Sequence, residues 1–251
     1  MRRRAGVGLT ELLVSLALAG VIVAAATRGL VQHLALHRTR DARSRAAEIV
    51  REVHEVLRAE LAHAAGDVRV LGDTALELAS LRVLARACYQ DPVRLVLPAA
   101  EPGWSAPRAG DSVGVMDTLS RVEWRTVIVA AGTQRASAEC PNGGVRLTLG
   151  TALPQTVPAR AVPARVWRTV RFVAYRAGDG AWWLGERLCA AGCGAAQPIA
   201  GPLLAPSQDG FRLRAGPGID GRVLFLDVSA RAVVATYPAQ LSSRLPGPAA
   251  P

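Results

Sequence analysis

The hydrophobic pattern of the first part of the chain predicts one long helix with two different halves. From Leu12 to Ala26 there is no charged residue, and only Ser15 is polar. Beyond Arg38, apolar residues recur at steps of three and four as far as Leu61, which is typical of an amphipathic helix. No proline interrupts this region. We therefore predict a helix from about Val7 to Ala65, roughly 90 Å long at 1.5 Å per residue.

After Gly66 the periodicity shortens to two residues, which is typical of half-buried strands. The predicted strands lie within 74–79, 93–97, 112–116, 123–129, 144–149, 168–175, 181–184, 211–213 and 222–228. Segments rich in Gly, Pro or Asn separate them, and Gly178-Asp179-Gly180 predicts a hairpin turn. The stretch 81–88 suits either a strand or a helical turn. A helix followed by strands predicts an α+β fold, with a β-rich head packed on the second half of the helix.

Composition and charge exclude several classes of protein. The chain has 251 residues, of which 50% are hydrophobic, so it is long enough for a real core and is not intrinsically disordered. All 30 basic residues are arginines, and the net charge is +10. A bias in base composition explains this better than a demand for guanidinium groups. DNA is a candidate partner of a basic chain. The arginines are dispersed, however, and no basic run with interleaved aromatics marks a nucleic-acid-binding groove.

No pattern of catalytic residues is present. All four histidines precede residue 64, which leaves a Ser/His/Asp or Cys/His set without a histidine in the head. His33 and His37 lie one turn apart, a spacing that can bind metal, but their place beside the apolar run suits a membrane interface better. We find no nucleophile elbow, phosphate-binding loop or zinc spacing. The sequence predicts a non-enzymatic protein with no catalytic, cofactor-binding or metal-binding residues.

A basic start followed by an apolar run must also be tested as an ordinary signal peptide. Arg2–Arg4 would form its basic region, Leu12–Val23 its apolar region and Ala24–Ala26 its cleavage site. Two features oppose this interpretation. Glu11 stands at the mouth of the apolar run, where a carboxylate is costly in lipid and is usually kept for a function. The helical pattern also continues past the cleavage site.

The residues around Glu11 resemble a known signal. Gly6 follows a short basic leader and precedes Val7-Gly8-Leu9-Thr10-Glu11, which resembles the class III signal of type IV pilins and type II secretion pseudopilins. In that family a prepilin peptidase cleaves after the glycine and methylates the new N-terminus. A glutamate is the fifth mature residue, and cleavage between Gly6 and Val7 makes Glu11 the fifth. The resemblance implies that Glu11 pairs with the N-terminal amine of a neighbouring subunit during assembly.

The head resembles those of J-type pseudopilins and W-type minor pilins through Val170–Tyr175, Trp182–Leu184 and Gln197–Gly201. The resemblance implies a minor pilin or pseudopilin: a single-pass inner-membrane subunit of a pilus, a secretion filament or its initiation or tip complex, with the head in the periplasm. Its partners would be prepilin peptidase, sibling subunits and membrane lipid. The alternative is a secreted or anchored envelope protein with an ordinary signal peptide, such as a DNA-binding component of an uptake system.

The implied organisation divides the chain into five segments. They are a leader (1–6), a membrane-spanning half-helix (7–37), an amphipathic half-helix (38–66), the head (67–244) and a disordered tail (245–251).

Four cysteines lie in the predicted head, and they are expected to be oxidised if it is exported. Of the three possible connectivities we favour Cys88 with Cys140 and Cys189 with Cys193. The second pair closes a tight loop that constrains the unfolded chain only modestly. The alternatives are free buried thiols, or Cys189 and Cys193 as a redox pair, which their spacing does not favour.

Overall fold

The computed structural model describes residues 8–98, 106–117, 123–136, 140, 143–153, 162–189, 192–217 and 223–247. It has the predicted α+β architecture, a long N-terminal helix followed by a large antiparallel sheet. Helix α1 spans Leu9–Ala62, roughly 80 Å at 1.5 Å per residue. It ends three residues before the predicted Ala65, because the chain from Ala64 onward is already paired as a strand. The predicted boundary of the helical segment at residue 66 is therefore wrong.

Thirteen strands follow α1 in the described part of the chain. They are β1 (Ala64–Leu71), β2 (Ala75–Ala87), β3 (Tyr89–Asp91), β4 (Arg94–Pro98), β5 (Ser112–Asp117), β6 (Glu123–Ala136), β7 (Gly144–Leu149), β8 (Val162–Arg176), β9 (Trp182–Leu188), β10 (Gln197–Leu203), β11 (Phe211–Pro217), β12 (Val223–Val234) and β13 (Tyr237–Pro246). The ambiguous stretch 81–88 lies mostly in β2, as a strand. The tail boundary at Leu245 is too early, since β13 pairs with β12 through Pro246 and buries Leu245.

Strand β8 organises the sheet. Strand β2 pairs along one edge of it, while β9 and β5 share the other edge. From β9 the sheet continues through β10 to β12, which carries β11 and β13. From β5 it continues through β6, β7 and β4 to β3. All of these pairings are antiparallel, so one long strand joins two regions of the sheet.

Two hydrophobic cores occupy these regions. The first lies between the second half of α1 and strands β1, β2 and β8–β13, and the second lies among β2 and β4–β8. Even-numbered residues of β8 face both cores, since Val170 and Phe172 belong to the first and Ala164 and Val166 to the second. Arg168 lies between them and is 1% exposed. A buried arginine therefore marks the junction of the two cores.

Candidate assembly site at the N-terminal helix

Glu11 lies in the first turn of α1 and contributes to its start. The chain is extended at Gly8, with φ −67° and ψ 147°, and the Gly8 N–H donates to Glu11 Oε2 at 3.3 Å. This bond satisfies a backbone donor near the helix start, and a carboxylate there also interacts favourably with the helix dipole. The side chain is exposed, so its oxygens remain accessible to a further donor from another molecule.

The helix after Glu11 presents an uncovered apolar surface. Leu12, Leu16 and Ile22 are between 55% and 67% exposed, because the head does not reach this part of α1. The most apolar window has a mean hydropathy of 2.2, and the helix is long and apolar enough to cross a membrane. An exposed apolar surface of this extent requires lipid or other helices around it.

The hydroxyl groups of Ser15 and Thr27, in the apolar half, are satisfied inside the helix. The Ser15 hydroxyl donates to the Glu11 carbonyl and the Thr27 hydroxyl to the Val23 carbonyl, both at 2.7 Å. Such bonds keep polar side chains compatible with an apolar surrounding, where an unpaired donor is costly.

His33 and His37 occupy the end of the apolar half. Their Nε2 atoms are 3.0 Å apart and form a hydrogen bond across one helical turn. Within the described residues no group of three or more histidine, cysteine or acidic side chains is positioned to hold a metal ion.

A small polar cluster fixes the head to the helix just after the apolar half. Thr39 Oγ1 and the Tyr237 hydroxyl are 2.9 Å apart, and the Arg43 guanidinium lies 5.2 Å from the centre of the Tyr237 ring. Deeper in the interface, His54 Nδ1 is 2.8 Å from the Val50 carbonyl oxygen and Nε2 is 3.3 Å from that of Val228. The sequence did not identify Tyr237, because β13 lacks a clear alternation of apolar and polar residues.

Of the predicted processing and disulfide residues, the structure describes the four cysteines but not Gly6 and Val7. Gly6 and Val7 lie outside the described residues, so the processing site stays a prediction. Cys88 is bonded to Cys140, with Cα atoms 5.4 Å apart, and Cys189 to Cys193, with Cα atoms 4.0 Å apart. These are the two pairs favoured from the sequence. No free cysteine occurs in the described chain.

Among the described residues one helix, α1, is long and apolar enough to span a membrane, and the head packs on its second half, which indicates membrane anchoring by this N-terminal helix. Residues 1–27 match the family model for the prokaryotic N-terminal methylation motif. This motif is typical of type IV pilins and pseudopilins, so the chain carries the N-terminal signal of a type IV pilin-like precursor. The motif implies processing by prepilin peptidase and assembly with pilin subunits, which indicates a structural rather than an enzymatic role. No curated protein and no solved structure gave a match to the chain.

Proposed function

We propose that the protein is a minor pilin or pseudopilin, a non-enzymatic subunit of a type IV pilus, a type II secretion filament or its initiation or tip complex. The observation that carries this proposal is the apolar half of α1, which starts directly at the methylation motif and is left bare by the head. In the membrane, lipid covers this surface. In a filament, the equivalent helices of neighbouring subunits cover it. The same surface therefore anchors the subunit in the membrane before assembly and contacts other subunits afterwards.

The head is proposed to lie in the periplasm. Two disulfides support this location, because disulfides persist in oxidising compartments and are rare in the cytosol. The basic leader at Arg2–Arg4 is consistent with a cytoplasmic N-terminus before cleavage.

Glu11 is proposed to select the neighbouring subunit. Cleavage after Gly6 would give Val7 a free amine at the membrane edge, and the exposed carboxylate of Glu11 can pair with this amine on another subunit. In a setting that excludes water, an unpaired charge is strongly unfavourable. The pair would therefore fix the register between helices more than it would add stability.

Cleavage is tested on protein purified from its native host by N-terminal sequencing and mass spectrometry. A mature chain that begins at Val7 and carries one added methyl group is expected. A chain that begins at Thr27 would show that ordinary signal peptidase acts, and would contradict the proposal.

The role of Glu11 is tested with Glu11→Gln, which removes the charge and keeps an oxygen that can accept from the Gly8 N–H. Processing and membrane insertion should be normal, since the neutral side chain enters lipid more easily. Incorporation into sheared filaments should fall, because the neighbouring amine is left unpaired. Glu52→Gln changes an exposed carboxylate in the amphipathic half and should leave incorporation unchanged. Equal incorporation of both variants would refute the pairing mechanism.

A further inference from the structure

One row of charged residues crosses four strands on the face of the sheet that points away from α1. The pairings of β1, β2, β8 and β9 place Arg69, Glu77, Arg171 and Arg187 directly across from one another. Phe172, next to Arg171 in sequence, is buried in the core beneath α1. Because side chains alternate along a strand, the charged row faces the opposite way, toward solvent.

This row has an excess of positive charge. Arg171 donates to Glu77 Oε2 through Nε at 3.0 Å and through Nη2 at 2.6 Å, so the single glutamate of the row is neutralised. Arg69 is exposed and Arg187 is half-buried. Three guanidinium groups against one carboxylate leave a positively charged line across four strands.

An aromatic pair lies on the same face. Tyr175 of β8 stands directly opposite Trp183 of β9, and both are half-buried. A Cβ atom at Gly185 would lie 2.4 Å from Tyr175 Cε1, and one at Gly201 would lie 2.7 Å from Trp183 Cε3. Each ring therefore occupies the space left by a glycine on the next strand and packs down on the sheet. Neighbouring strands are about 4.8 Å apart, so the two rings are offset by one strand.

The aromatic pair and the arginine row are close enough to bind one ligand. Tyr175 lies four positions after Arg171 along β8, about 13 Å away at the usual rise of a strand. The residues between them, Val173 and Gly185, carry no charge, and Gly185 has no side chain. The face therefore consists of a positive line and two partly exposed rings, with no charged residue between them.

We propose that this face binds single-stranded nucleic acid. The rings of Tyr175 and Trp183 stack on unpaired bases, and the arginine row contacts the phosphates, which is the combination that single-strand-binding surfaces use. A duplex hides the faces of its bases, so it can use only the charged row. This inference goes beyond assembly into a filament and does not depend on it.

Binding is measured on the full chain in nanodiscs of uncharged phosphatidylcholine. The probe is a fluorescent oligothymidylate of about 20 nucleotides, longer than the roughly 4–16 nucleotides that one OB-fold covers. The oligothymidylate should bind more tightly than a duplex of equal length. Its affinity should fall with salt, because phosphate contacts release counterions. Absence of oligothymidylate binding, or equal affinity for the duplex, would overturn the proposal.

Substitutions distinguish the stacking of bases on Trp183 from nonspecific electrostatic attraction to a basic protein. Trp183→Leu should weaken binding about 5- to 150-fold, the loss of one stacked base, whereas Trp183→Phe keeps a ring and should retain most of it. Arg187→Gln should reduce the slope of log K against log salt by about 0.7, the value for one phosphate contact. Arg58→Gln removes an exposed arginine of α1, on the opposite side of the sheet, and is the matched control.

The pattern across the variants decides the outcome. Equal losses for Arg187→Gln and Arg58→Gln would indicate diffuse attraction to a basic protein and would overturn the proposal. Unchanged affinity of Trp183→Leu would do the same. If Trp183→Leu lacks the near-ultraviolet circular dichroism of the folded head, Trp183→Phe and Arg187→Gln provide the test. Filament incorporation of these variants is scored separately, and it should stay normal because the face lies away from α1.

Discussion

The buried ion pair between Arg168 and Asp111 offers the sharpest test of how the head is held together. Asp111 is 0% exposed and Arg168 is 1% exposed. The two side chains form a bidentate pair, with Nε to Oδ1 at 2.8 Å and Nη2 to Oδ2 at 2.6 Å. Arg168 also donates to the Ala106 carbonyl at 2.9 Å, and Asp111 accepts from the Arg108 N–H at 2.8 Å. The pair thus fixes the segment before β5 to the junction of the two cores.

We expect Asp111→Asn to destabilise the protein severely. The substitution keeps the shape of the side chain but removes the Asp111 carboxylate charge that is paired with the buried Arg168. Breaking a buried pair by neutralising one partner typically costs about 3–5 kcal/mol. This corresponds to a change of roughly 150- to 4,000-fold in the unfolding equilibrium. The double variant Arg168→Met/Asp111→Leu removes both charges and should be less destabilised than Asp111→Asn, because no unpaired charge remains.

The measurement is urea unfolding of the full chain in detergent micelles with the disulfides intact, followed by near-ultraviolet circular dichroism. The shift in midpoint multiplied by a common slope gives the change in free energy of unfolding. Glu186→Gln is the control, because Glu186 pairs with Arg82 at 2.7 Å while its side chain is 27% exposed. A partly exposed pair should cost about 1 kcal/mol or less. The reasoning is refuted if Asp111→Asn costs no more than this control.

Three further predictions concern the disulfides and the head. Replacing Cys88 and Cys140 by serine should lower the free energy of unfolding by about 4 kcal/mol, because this bond closes a loop with a sequence separation of 52. The same change at Cys189 and Cys193, separated by 4, should cost about 2 kcal/mol, and equal midpoint shifts in urea would contradict the loop argument. Residues 38–251, expressed under oxidising conditions, should be soluble and folded with no titratable thiol, whereas four reactive thiols in the native state would contradict the disulfide assignment.

The sequence by itself determined the helix, most of the strands and the candidate assembly site. A helix of more than 50 residues that includes the uncharged run Leu12–Ala26 is specified by local periodicity alone, and the position of Glu11 relative to Gly6 is a matter of counting. The strands that alternate clearly, such as the one around Val170–Tyr175, were also found correctly. These features depend on residues close together in the chain, which a pattern can report.

Strands with weak hydrophobic patterns could be identified only from the strands with which they pair. Ala64–Leu71 continues an apparently helical segment, yet it pairs with β2 and ends the helix early. Leu245 stands among prolines and small residues, but its pairing with Leu226 of β12 buries it. In both cases hydrogen bonds to a distant strand outweighed the local preference, and no local signal contains that partner.

The two charged features of the head were decided only by tertiary structure. Arg168 is one arginine among many, and its burial follows from its place between two cores and from the carboxylate of Asp111, 57 residues away in sequence. Tyr175 and Trp183 are equally distant from Asp179 in the hairpin turn, so their pairing had a local signal. No local signal in the sequence indicated that Arg69 lies on the same face, because β1 reaches β8 only through β2. Local periodicity fixes which face of a strand is polar, whereas strand order fixes which polar residues meet.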